Sequence, residues 1–517
     1  MMVAMPTSNN LMSISGFWFA TVWVVDIIFE WSQGIGPGHR FRRFIRNRTA
    51  LAFTSIYVLC LLGFIWSDDL DFALRDARIK LPFLFLPLVV SSYQKIERQH
   101  LLWCFYVYLA TVTYTITNCT GVYYRWWGKP YINVREISHY ISHIRFSLMI
   151  VLAICLLGWI SWQRRKNLLW TIPLTFYFLF FLWILQSMTG FAILFALIAW
   201  WSLFLILTSK KRLLRYSVGL LLVVGLVGMA VYLRNEIKIH FHSKDDLSSL
   251  PERSSGGERY SHNLENKLLE NGHYVWTGIA MKELKRAWNS RSTIHIDSVG
   301  RTKQVIGGTL IRYLTSKGQM KDSVSVYSLT SAEIAAIEGG QATAYPELTR
   351  GIRGRIHKIL FEYDNYRNGG DPSGNSVMQR FEFWRAAVGI IRENPIIGVG
   401  TGDLKTAYAE QYKKMNTALD ATYRLRAHNQ YLTYAVTYGI LGLLLFLLAL
   451  FTVLFHQRKY THFLFMSYFL ITALSFLTED TLETQAGVTF VVVWGVVLMG
   501  MKEWGEKERS RNEILPK

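Results

Sequence analysis

Long apolar runs rather than short alternations organise this chain. Stretches with few charges recur near 14–31, 49–66, 101–117, 144–162, 168–187, 189–207, 214–233, 429–454, 462–478 and 485–501. As helices rising 1.5 Å per residue, runs of roughly 18 residues cross about 30 Å of hydrocarbon. A shorter run, LPFLFLPLVV at 81–90, joins them as a span beginning near Arg78 and Lys80, whose long stems can snorkel toward water. The pattern predicts an all-α polytopic membrane protein with about eleven transmembrane helices and one large interruption, residues 234–428.

Within the interruption, HSKDDLSSLPERSSGGERYSHN reads as a Ser/Gly/Pro linker. Beyond it, Val305, Leu310, Ile311 and Leu314 lie among basic residues, and SLTSAEIAAIEGG places Thr330 and Glu333 in a capping-box relation with Gly339 and Gly340 closing a short helix. A small, mostly helical insert is expected at about 240–370. Amphipathic helices follow at about 376–416. In the first of them Val377, Phe381, Trp384, Val388 and Ile391 form one apolar face and Pro395 stops the run. That face suits either the membrane interface or packing on the ends of the spans. The expected organisation is membrane helices at 1–233, an outer loop at 234–428, membrane helices at 429–501 and a tail at 502–517.

Composition changes this picture only through the placement of charge. The formal net charge of +20 would fit a nucleic-acid binder, but the basic residues concentrate in short connectors: HRFRRFIRNR at 39–48, QKIERQ at 94–99, QRRK at 163–166, KKRLLR at 210–215, QRK at 457–459 and the tail after Lys502. Alternating spans put all of these on one side, which the positive-inside rule makes cytoplasmic. The other side, a bacterial periplasm, then receives 67–80, 118–143, the tight SMTG turn at 187–190, the large loop and TEDTLETQ at 478–485. Eleven spans also place the N-terminus outside, with the first span serving as insertion signal. Of four cysteines, Cys60, Cys104, Cys119 and Cys155, only Cys119 is expected to be exposed outside, and no two have zinc-ligand spacing.

The chemistry-bearing residues gather at the outer mouths of spans. RAHNQYLTYAVTYGILG opens a span with Arg424 and Arg426 before His428 and with Asn429 after it. Imidazole titrates near pH 6.5, which suits a general base at neutral pH. HYISHIRFSL opens another span with His143 and Arg145. An arginine there acts as an anchor or binds an anion, and its planar fork fits phosphate oxygens. Arg78 and Lys80 are candidates for the same basic rim. NPIIGVGTGDL, with Gly398, Gly400 and Gly402, is either a plain turn or a backbone cradle for phosphate ahead of a helix from about 403 to 416. SDDLD at 67–71 is a solvated acidic face or a weak cation site.

QRFEFWRAAVGII, NPIIGVGTGDL and RAHNQYLTYAVTYGILGLLLF in that order resemble the O-antigen ligase and polymerase superfamily over about 376–448, and the arrangement of spans extends the likeness over most of the chain. The insert around TLIRYLTSKGQMKDSVSVYSLTSAEIAAIEGG is similar to that of Bacteroidota-type members. The resemblance implies a GT-C-like fold and a metal-independent, inverting glycosyltransferase without a cofactor. Such an enzyme moves a glycan from undecaprenyl pyrophosphate to an acceptor hydroxyl, that of the lipid A core in ligases or another carrier-linked repeat in polymerases. It implies His428 as the base on the acceptor. It also implies outer-face arginines on the pyrophosphate, carried here to Arg145 and Arg380, with Arg424, Arg426, Asn429, Gly400 and Arg78 as further substrate-binding candidates. Two departures stand out: Ser187 is followed by Met188 where members often have arginine, and about eleven spans are read where members usually have twelve.

A protein O-oligosaccharyltransferase fits the same motifs. From other classes, a polysaccharide transporter or flippase would show two related halves, which the late, single outer loop does not. A receptor or assembly factor would need no histidine at the rim. The HNQYL form and the extended insert favour a ligase.

Overall fold

The computed structural model describes residues 1–93, 97–128, 131, 134–163, 165–300, 305–348, 351–456 and 462–499. The connector 457–459 and the tail from 502 lie outside the described residues, as do parts of the connectors 94–99 and 163–166. Every one of the predicted spans falls on a helix. The chain divides into two compact units, residues 1–200 with 380–517, and residues 201–379.

The first unit opens with α1 (Ala4–Thr7), α2 (Asn9–Ser32), α3 (Gly38–Arg46) and α4 (Arg48–Leu62). Ser8 caps α2 and Asn47 caps α4 through their side-chain oxygens. Next come α5 (Leu70–Lys80) and α6 (Pro82–Ser92), joined through Leu81, which itself has helical backbone angles. Pro82 is tolerated because it stands at the first turn of α6, where its missing N–H breaks no helical bond. This corrects the expected span beginning near Arg78 and Lys80. Helical backbone starts a full eleven residues upstream of Leu81, so Lys80 lies midway along it, 1% exposed, and does not snorkel.

The unit continues with α7 (Arg98–Tyr123), α8 (His143–Gln163), α9 (Leu168–Ile184) and α10 (Met188–Thr208). Its apolar core holds Trp494 against Phe105 and Tyr108, and the Tyr108 hydroxyl donates to the Met149 carbonyl. Cys119, expected to be exposed, is buried in this core. Its place in the last turns of α7, beyond the expected end of the span, accounts for the difference.

The second unit contains α11 (Arg212–Phe241), α12 (Met281–Arg291), α13 (Ile306–Ser316), α14 (Ser323–Tyr327), α15 (Ser331–Glu338) and α16 (Gly351–Arg367). It has its own core around Leu284, Trp288, Leu310 and Leu314. A two-stranded hairpin, β1 (Leu269–Glu270) with β2 (His273–Tyr274), turns through Asn271 and Gly272, both at positive φ, the conformation a tight hairpin requires. The Thr330–Glu333 capping box forms as expected, and Gly339 ends α15. The expected linker is integrated structure: Tyr260 and Ser254 are buried, and Asp245 accepts the Tyr274 N–H at 2.7 Å. Its Ser and Asp side chains attach it through local hydrogen bonds that composition alone does not reveal.

The chain returns to the first unit through α17 (Met378–Glu393), α18 (Leu404–Lys414), α19 (Gln430–Phe455), α20 (Phe463–Thr478) and α21 (Gln485–Met499). In α17 the buried side is Phe383, Ala386, Ala387 and Ile390, whereas Phe381 and Val388 of the expected core face are exposed. Ala386 and Ala387 allow close approach beside Phe383 and Ile390, and Trp384 and Ile391 of the predicted face pack partly buried at its edge. By length and composition, α2, α8, α10, α11 and α19 are able to cross a membrane, and α4, α9, α20 and α21 are shorter apolar helices. The protein is an all-α, multi-pass membrane protein.

Candidate functional site

Asn429 starts α19. Its side-chain oxygen accepts the Leu432 N–H at 3.1 Å and its amide donates to the Leu477 carbonyl at 3.1 Å. Both ends thereby make bonds within the fold. The residue before it, His428, has φ of 47°, a left-handed conformation rare outside glycine. Asp480 holds that conformation: one carboxylate oxygen accepts the His428 N–H and the other accepts the Asn429 N–H, each at 3.1 Å, while the Thr433 hydroxyl donates at 2.6 Å.

The acids of the 479–483 turn organise everything around His428. Arg426 pairs with Asp480 at 3.1 Å and with Glu483 at 3.4 Å. Glu483 also accepts from the Gln430 amide at 3.0 Å and pairs with the buried Lys80 at 3.0 Å, and Lys80 in turn pairs with Asp76. Arg380 reaches the same turn, its Nη2 donating to the Thr478 carbonyl at 3.0 Å and to Glu479 Oε1 at 2.9 Å. The other Glu479 oxygen lies 3.5 Å from His428 Nδ1. Burial raises the Glu479 carboxyl, but His428, Arg380 and Arg145 outweigh it and hold the group below the usual carboxylate range. Glu483 is likewise lowered, burial being overcome by Lys80 and Arg426, whereas burial leaves Asp480 raised.

Two groups in this cluster remain open to a ligand. The His428 side chain is one-third exposed, with Phe383 packed 5.7 Å from its ring. Arg145, in the first turn of α8, is within electrostatic reach of Glu479, Asp480 and Arg426. Among the described residues its guanidinium makes no hydrogen bond or ion pair, and its Nε is buried without a partner. A cation so placed calls for an anion.

The other expected site residues are placed differently. Arg424 folds back so that its Nε donates to the Leu419 carbonyl at 3.0 Å. Arg78 is exposed on α5, two residues before the ion-paired Lys80. Gly400 is a packing position. Its N–H is donated to the Thr437 carbonyl at 2.8 Å, and a Cβ there would come within 2.5 Å of Ser67 Oγ. The turn therefore does not present that amide to phosphate. Gly398 approaches the backbone of Thr437 and Gly439 equally closely, and α19 breaks at Gly439, with φ 64° and ψ −167°, to receive it. Asp69 caps α5 through the Phe72 N–H. The 640 Å³ cleft beside this turn is lined by Asp68, Asp69, Glu393, Asp403 and Glu410, with Lys414, paired to Glu393, as its one lysine, so its charge is predominantly acidic. Ser187 caps α10 by accepting the Gly190 N–H at 3.2 Å.

Sequence reasoning missed Glu479, Asp480 and Glu483, treating TEDTLETQ only as a connector. The available signal was charge: three acids between two spans, complementary to the arginines at the mouth of α19.

No curated protein matches the chain. Residues 347–447 match the family described as O-antigen ligase, a region that covers all of α16, α17 and α18, the His428 loop and the larger part of α19. Arg145 and the 479–483 turn lie outside the matched region. Members of that family are ligases and polymerases acting on glycans, with lipid-linked glycans and lipid acceptors as their general substrates. By this match, residues 347–447 of the chain are similar to the O-antigen ligase family, the same segment that carries His428.

Proposed function

We propose that this protein is an O-antigen ligase of the bacterial inner membrane, transferring a glycan from undecaprenyl pyrophosphate to a hydroxyl of the lipid A core on the periplasmic face. The observation that carries the reading is the pairing of a solvent-accessible imidazole, His428, with an arginine, Arg145, that has no ionic partner among the described residues. The imidazole takes the proton of the acceptor hydroxyl. The oxygen then attacks the anomeric carbon from the face opposite the pyrophosphate, and the carbon–oxygen bond to phosphate breaks with its electron pair leaving on the pyrophosphate. Configuration inverts, and the imidazolium returns its proton to water. Arg145 meets the charge that develops on the leaving group, so the step needs no metal. Arg426 is satisfied by Asp480 and Glu483, which supports a role in bracing the loop.

The test uses the full-length protein in proteoliposomes with a polyprenyl-pyrophosphate-linked glycan and a lipid A-core acceptor. His428→Ala is expected to abolish transfer with the membrane level of protein unchanged, and Arg145→Ala to raise the donor KM and lower kcat. Full transfer by His428→Ala would remove the mechanism. In a strain lacking the gene, long chains stranded on the carrier beside bare lipid A core identify a ligase. A single repeat on lipid A identifies a polymerase, and an unchanged lipopolysaccharide profile points to protein glycosylation.

A further inference from the structure

The strain, the acids and the arginines around His428 do more than hold a loop. Glu479 Oε2 faces Nδ1 of the ring at 3.5 Å, long for a hydrogen bond but closed by a small rotation when a substrate docks. Its other oxygen is fixed by Arg380 at 2.9 Å, and the same guanidinium nitrogen holds the Thr478 carbonyl, so both the carboxylate and the backbone preceding it are anchored from α17. Glu479 is 5% exposed, which removes competing water. Phe383, also on α17, packs beside the imidazole. The charged groups facing this corner are Glu479 and Asp480 on the turn, Arg426 beside His428, Arg380 on α17 and Arg145 on α8.

We propose that Glu479 is a positioning residue that fixes His428 as the Nδ1–H tautomer and aims Nε2 at the acceptor, with Arg380 holding Glu479 in place. The inference rests on His428 being the base. A carboxylate accepting from one ring nitrogen decides which nitrogen can take a proton, and it stabilises the imidazolium once that proton arrives. It also assigns Arg380 a different task from binding pyrophosphate. Arg145 is then the cation left for the leaving group.

The experiment compares wild type, Glu479→Gln and Glu479→Asp in the proteoliposome assay over pH 5–9, with thermal unfolding of each purified variant. Glu479→Gln keeps the shape and the tie to Arg380 but removes the charge. It is expected to lower kcat by about 10- to 100-fold, the usual scale for loss of an orienting partner, to move the acid limb of the kcat profile to lower pH, and to leave the donor KM unchanged. Glu479→Asp is expected to restore part of the rate and the original limb. As a readout free of turnover, modification of His428 by diethyl pyrocarbonate, followed by peptide mass spectrometry, should shift its pH dependence in the same direction in Glu479→Gln. The proposal is overturned if both profiles keep their wild-type position, or if the lost activity tracks lost thermal stability. If His428→Ala is itself active, the base assignment fails. If His428→Ala is inactive while Glu479→Gln retains wild-type kcat and profile, only the Glu479 assignment fails.

Discussion

Replacing Lys80 by methionine tests whether the buried charges under the site form a balanced set. Lys80 is 1% exposed, 3.0 Å from Glu483 and paired with Asp76, and both carboxylates are themselves buried. At 3.0 Å and an effective dielectric near 20, one such pair attracts by about 5 kcal/mol. Most of that offsets desolvation, so the net worth of the set is small, but removing only the cation leaves two buried carboxylates facing each other. Methionine keeps the volume, so the loss isolates charge rather than packing. Lys80→Met should therefore destabilise the protein by about 3–5 kcal/mol, a fall in Tm of roughly 5–10 °C for a chain of this size. The triple variant Lys80→Met, Asp76→Asn, Glu483→Gln should recover most of it. Thermal unfolding of the purified protein in detergent reads both. A Lys80→Met protein melting within about 1 °C of wild type would refute the reasoning, because it would show that the two acids do not depend on this cation.

Gly439→Ala forces a side chain onto φ 64°, ψ −167°, where its Cβ would meet the Ile396 carbonyl at 2.2 Å, and should cost about 3 kcal/mol or more, measured as a fall in Tm. His357 is pushed down to about 4, first by burial and then by Arg312, with Arg353 adding to this and Glu236 opposing it; His240 and Glu270 also face it. The unfolded chain then binds the extra proton between pH 6.5 and 4, so the second unit should lose up to about 3 kcal/mol as pH falls through that window, and His357→Phe should flatten the loss in hydrogen-exchange protection of α16. Burial pushes Glu333 up, but Lys317 and the Thr330 cap hold it at about 2, so its contribution is complete above the ordinary carboxylate value of 4.5 and disappears as pH falls toward 2. Thr330→Ala should weaken α15 by about 1 kcal/mol, read as faster hydrogen exchange at neutral pH.

The membrane architecture was legible because a bilayer imposes length and apolarity on every span, and those are properties of contiguous sequence. The capping box of α15 was legible for the same reason, since its partners are three residues apart. What escaped required knowing which distant segments meet. His428 could be picked out at the mouth of α19, but Glu479 and Asp480 lie about fifty residues on and were readable only as a polar turn. Lys80 looked like a snorkelling end because nothing local announced Glu483. The apolar stripe of α17 was found only in part: Trp384 and Ile391 pack on the core, but its centre lies one residue off the predicted line, on Phe383, Ala386, Ala387 and Ile390. Gly400 carried the composition of a phosphate cradle, yet its amide was already claimed by the carbonyl of Thr437.

The break in α19 also ties distant parts of the chain into one unit. Ile440 and Leu441 donate their N–H groups to the carbonyls of Pro395 and Ile396, and the carbonyls of Val436 and Thr437 accept from Val399 and Gly400, so the helix borrows from residues 395–400 the bonds it gives up within itself. An unpaired buried backbone group costs a few kcal/mol, so the broken helix depends on that segment for its stability. Thr401 in turn bonds to the carbonyls of Cys60 and Gly63 at the end of α4. Two pieces of chain made more than three hundred residues apart during synthesis must therefore meet before the membrane half is complete. The loop carrying His428 lies between the two segments that exchange these bonds, so its ends are clamped to each other by backbone alone.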